Sequence, residues 1–144
     1  MESLNSLSAR SLQYYVIAKK WNADLEFYKV EIRFLRSLLE EYFFTMANIG
    51  EEANFKQVSD ELMKLEVDKN QLDRLLNDQI KELELMSEDV VYEDVTMLTG
   101  QQINLEYMVT SIFNEYKEVK KKIFMLVKKV LDVSKQPAKY AFPN

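Results

Sequence analysis

Apolar side chains recur along this chain at steps of three and four residues. From Trp21 the series Leu25, Tyr28, Ile32, Leu35, Leu39, Tyr42, Met46, Ile49 runs without a miss. A second series is Phe55, Val58, Leu62, Leu65, Lys69, Leu72, Leu76, Gln79, Leu83, Met86, in which Lys69 and Gln79 are polar and Ile80 covers for Gln79. A third runs Val91, Val95, Leu98, Gln102, Leu105, Val109, Ile112, Tyr116, Val119, Ile123, Leu126, Val130, Val133, with Gln102 its one polar member. A mean step of about 3.5 residues keeps each series on one slowly winding stripe of an α-helix. A strand would alternate with period two, and none of these stretches does. The pattern predicts three long helices, over residues 21–48, 52–88 and 92–135.

The punctuation agrees. Asn48-Ile49-Gly50 supplies residues suited to a left-handed helix stop. Glu51 and Glu52, and later Glu93 and Asp94, place acids in first turns, where the helix dipole favours them. Lys128, Lys129 and Lys135 give the last helix a basic end, and Pro137 stops it. Gly100 marks a kink in that helix or a later start for its strong part. Links this short force neighbouring helices to lie antiparallel. The expected fold is therefore all-α, an up-down-up bundle of three long helices shaped as a rod.

The first 20 residues allow two readings. The first helix extends backward through Ala18, Tyr14, Ser11, Leu7 and Leu4, or residues 6–20 form a short fourth helix turned at Asn22-Ala23-Asp24. The second is preferred, because Asn22 or Asp24 can cap a helix carrying Leu25 onward. The domain scheme is then an N-terminal segment over 1–20, the bundle over 21–136 and a tail over 137–144.

Composition removes much chemistry. With no Cys there is no disulfide, thiol nucleophile or zinc ribbon, and with no His the commonest general base is missing. Two isolated glycines, Gly50 and Gly100, write neither a dinucleotide fingerprint nor a phosphate loop. No seam position is acidic, so an inward-facing carboxylate metal site has no ligands. No catalytic residue, cofactor or metal is expected, and the chain does not read as an enzyme. A net charge of −5 argues against nucleic acid as a partner. The longest early apolar run, Tyr14 to Ala18, is too short for a membrane span or a signal core, so a cytoplasmic protein is expected.

Charge is unevenly spread. Residues 51–94 hold 14 acids against 5 bases, whereas residues 117–144 hold 8 lysines against 2 acids. The acids Glu88, Asp89, Glu93 and Asp94 at the second link read as dipole-complementing and solvated rather than as a cation site. Lys121, Lys122, Lys128 and Lys129 form a candidate contact surface, although pairing with Glu40, Glu41, Glu51 and Glu52 accounts for them without a membrane. A second apolar stripe on the first helix, Phe27, Phe34 and Leu38, is the other candidate. Trp21 is expected to plug one end of the core. Lys69, Gln79 and Gln102 are expected to set helix register rather than to line a ligand pocket.

The functional expectation is a non-enzymatic interaction or scaffold protein. Its partner is protein, with self-association among the options and a membrane disfavoured. The alternatives are a bundle with a small-molecule pocket near the polar seam residues, and an anionic-surface binder using the lysine-rich end.

Overall fold

A computed structural model of the chain describes residues 7–134. It contains α1 (Ala9–Glu41), the single-turn-and-a-half α2 (Phe43–Asn48), α3 (Glu52–Ser87) and α4 (Val95–Ser134). Among the described residues there is no strand. The tail over 137–144, Pro137 and Leu4 lie outside the described residues.

α1 corrects the preferred reading of the N-terminal segment: residues 9–20 belong to the first long helix rather than to a separate short one. The helix runs unbroken through Asn22-Ala23-Asp24. The physical reason is seam continuity, because Leu7, Ser11 and Ala18 are all buried on the line that Leu25 continues. Ser8 is the N-cap, its hydroxyl accepting from the Ser11 N–H at 3.1 Å. Trp21 therefore sits well inside α1 and packs against the core from the side, not at its end. A break at Tyr42 divides α1 from α2 without turning the seam, since Met46 is fully buried. Beyond the break Phe43 reaches the Phe55 ring on α3, with centroids 5.0 Å apart.

Gly50 then stops α2 in the left-handed region, with φ +80°. The Gly50 and Glu51 N–H groups return to the carbonyls of Ala47 and Met46. At the second link Asp89 takes the left-handed conformation, φ 60°, and the Val90 N–H returns to Leu85. Asp94 caps α4 by accepting from the Met97 N–H at 3.0 Å. Gly100 neither interrupts α4 nor delays its start, because the helix begins at Val95 and continues through it.

Polar contacts fix the helix directions. α1 and α4 keep one register along their length: Ser8 meets Glu93, Tyr14 meets Thr99 and Glu31 meets Tyr116, each pair 85 residues apart. These two helices run parallel. On the other flank Tyr15 bonds Glu84 while Arg36 bonds Glu66, so α1 opposes α3. Gln79 with Gln102 and Glu51 with Lys129 show that α3 opposes α4. One long core fills the space between, with Leu35, Leu65, Leu72, Leu76 and Ile123 among its fully buried members. At about 1.5 Å per residue the 40 residues of α4 make a rod roughly 60 Å long.

Candidate functional site

The helices assign the sequence-derived candidates to different places. Leu38 is half-buried and packs against the core, so it belongs to the bundle. Phe27 and Phe34 do not join it: they point outward, 57% and 50% exposed. They are accompanied by Val16 and Val30, 60% and 62% exposed, and by the exposed Ala23. The five positions Val16, Ala23, Phe27, Val30 and Phe34 follow one another at steps of seven, four, three and four. This is a second heptad seam, displaced by about 150° around the helix from the one that packs inward. Val16, Ala23 and Val30 do not stand out in the sequence, because Leu38 draws the second stripe toward itself and Val16 falls within the segment read as a separate helix.

The outer seam carries its own charges. Lys19, Glu26, Arg33 and Glu40 border it, while Lys20 and Glu41 stand at seam positions themselves, all exposed. None of them makes an ion pair among the described residues, while Arg36, one step round the helix, is held by Glu66 on α3. α1 is thus apolar on two faces, one packed and one open.

The lysine-rich end of α4 is mostly used internally. Lys122 Nζ reaches Glu61 at 2.7 Å and Lys129 Nζ reaches Glu51 at 3.0 Å, both across to α3. Lys128 faces Asp132 of its own helix at 4.0 Å. Lys121 is exposed and unpaired among the described residues. Pairing falls on Glu51 and Glu61, while Glu40, Glu41 and Glu52 stay exposed.

Between α1 and α4 lies the tightest polar cluster. The Tyr116 hydroxyl donates to the Glu31 carboxylate, and Lys120 Nζ lies 3.2 Å from the same oxygen. The hydrogen bond from Tyr116 and the nearby Lys120 hold the Glu31 carboxyl below the usual carboxylate range. Burial, then Glu31, pushes the Tyr116 hydroxyl up. Every group here is engaged by another, so the cluster ties helices rather than offering a free base.

On the α3–α4 seam, Gln79 donates to Gln102 at 3.4 Å, both side chains being buried. Among the described residues the Gln79 amide oxygen and the Gln102 amide nitrogen have no hydrogen-bond partner. A cleft of about 320 Å³ opens beside Gln79, bordered by Asp78, Glu82, Gln101 and Asn104. Lys69 is buried but extends to Asp73, one turn on, at 2.6 Å. At the second link Glu93 accepts from the Ser8 N–H and Asp94 caps α4, so two of the four acids are committed to backbone. Among the described residues no group of three or more acidic side chains is gathered as metal ligands. None of the described helices is long and apolar enough to cross a membrane.

Comparison with protein-family models, with curated proteins and with solved structures finds no match for this chain.

Proposed function

We propose that this is a non-enzymatic, cytoplasmic helical-bundle protein that acts by protein–protein contact, as an interaction or scaffold module. The observation that carries the reading is the outer seam of α1, where large apolar side chains recur at heptad spacing in solvent. Scattered surface apolar residues are ordinary, but a stripe at coiled-coil spacing, unbroken from Ala23 to Phe34, is the pattern by which helices recognise helices. The Glu31, Tyr116 and Lys120 cluster favours the same reading, since its titratable groups are tied to one another across a helix interface.

A photoreactive amino acid placed at Val30 in cells tests it, with Asn77 on the exposed side of α3 as the control position. Protein adducts are expected at Val30 and not at Asn77. Absence of any protein adduct at Val30 would overturn the reading.

A further inference from the structure

The charges beside the outer seam carry the reading one step further, to the identity of the partner. Along one border of the stripe stand Lys19, Glu26, Arg33 and Glu40, one per heptad, in the order plus, minus, plus, minus. Reversing such a row gives its own complement. We propose that the partner of this face is a second copy of the chain, docked antiparallel along α1 about a twofold axis level with Tyr28 and Lys29. This rests on the interaction reading and specifies who occupies the face.

Register follows from the residues. In an antiparallel pair each side chain of the seam packs against the alternate seam position of the other helix. Phe27 then meets Val30 of the second copy, and Phe34 meets Ala23 of the second copy, a large residue against a small one. In this register Glu26 faces Arg33 and Lys19 faces Glu40, twice each by symmetry. Sliding the pair one heptad in one direction sets Glu26 against Glu40 and Arg33 against Arg33. Sliding it the other way sets Lys19 against Arg33 and Glu26 against Glu26. One register alone satisfies the border, which is how flanking charges fix pairing in coiled coils. On the opposite border Ile17 meets Leu38, and Asp24 meets Glu31, whose charge Lys120 already offsets within its own chain. A parallel pair instead sets Lys20 against Lys20 of the second copy on the seam itself, like charge against like.

Size sets the strength. From Val16 to Glu41 the face is about 38 Å long and about 10 Å wide, giving a footprint of roughly 400 Å² on each copy. The two footprints together, about 800 Å², fall below the ~1,000 Å² of a stable specific interface. The dimer is therefore a weak, concentration-dependent one.

Sedimentation velocity from about 1 µM to about 500 µM tests this. The weight-average mass should rise from 17.1 kDa toward twice that value. Glu26→Arg and Arg33→Glu should each weaken association about tenfold, and the two together should restore it to within about threefold. All these positions are exposed, so unchanged melting by circular dichroism certifies the fold of each variant. Orientation is read by oxidising a mixture of Lys19→Cys and Glu40→Cys chains, in a protein with no cysteine of its own. A mixed disulfide is expected. A monomer at the highest concentration, failure of the double swap to restore pairing, or a Lys19→Cys self-disulfide in place of the mixed one would each overturn the inference. A monomer whose Val30 still cross-links to another protein sinks self-pairing and leaves the interaction reading standing. A monomer with no Val30 adduct sinks both.

Discussion

Tyr116 lies on the inward seam of α4, yet its hydroxyl donates across to Glu31 on α1. The phenol is buried for the packing its ring supplies against Tyr28, with centroids 5.0 Å apart. A buried hydroxyl needs a partner, and Glu31 is within reach because the two helices run in register there. Glu31 has a folded-state pKa below its unfolded value of 4.5, so its contribution is present above that pH. It is lost as pH falls through the lower folded value. On the alkaline side Tyr116 is raised above 10.0, so its contribution is present below that pH and fades as pH climbs past it. Tyr116→Phe should cost about 1.5–3 kcal/mol near neutrality, the worth of a hydrogen bond to a charged group. The gap between wild type and variant should narrow by about pH 3.5, as read from urea midpoints. An equal gap at both pH values would show that Glu31 is not the group being held.

Among the elements, α4 exceeds its sequence signal in one respect, because it passes straight through Gly100. A Cβ built at that position meets no atom within 4 Å. Gly100→Ala should therefore stabilise the protein by about 0.5–1 kcal/mol, through a less flexible unfolded chain and a better helix former. For a domain of this size that is a rise of roughly 2–4 °C in Tm by circular dichroism. No rise would mean that the helix is already bent or frayed there in solution. The three seams were legible because each buried position answers to one local rule, the heptad step, and Leu25, Leu72 and Ile123 obey it to full burial. The continuity of α1 was not, since Asn22 and Asp24 carry good cap chemistry and only tertiary packing of Ser11 and Ala18 decides against its use. That misreading also hid the outer seam. Val16 and Lys19 lay on a supposed separate helix, so Phe27 and Phe34 looked like a fragment and were grouped with Leu38, which packs inward. The lysines at the far end of α4 were legible only as a cluster. Which acids take them depends on α3 and α4 standing side by side, and that selects Glu51 and Glu61 over Glu40 and Glu41.

For the molecule as a whole, the central distinction is between the packed and the open face of α1, and two adjacent residues separate them. Leu35 is 1% exposed, at the centre of the bundle, whereas Phe34 is half-exposed on the outer seam. Leu35→Asp removes about 2–5 kcal/mol of core packing. It also places a carboxylate where nothing can solvate it, at a further cost of several kcal/mol. That sum matches the whole stability of an ordinary domain, about 5–15 kcal/mol. Leu35→Asp should therefore abolish cooperative melting, and so should Ile112→Asp on the facing side of α4. Phe34→Asp is the same type of change one residue away, on a side chain already in water. It should shift stability by no more than about 0.5 kcal/mol, the range of surface substitutions. Its effect should fall on association instead, because the new charge sits on the open seam. Melting curves and sedimentation on the three variants separate these outcomes. Cooperative melting retained by Leu35→Asp would mean that the inward seam has been placed on the wrong side of α1. A collapse of Phe34→Asp would mean that the outer seam is core, and that the stripe is not a docking face.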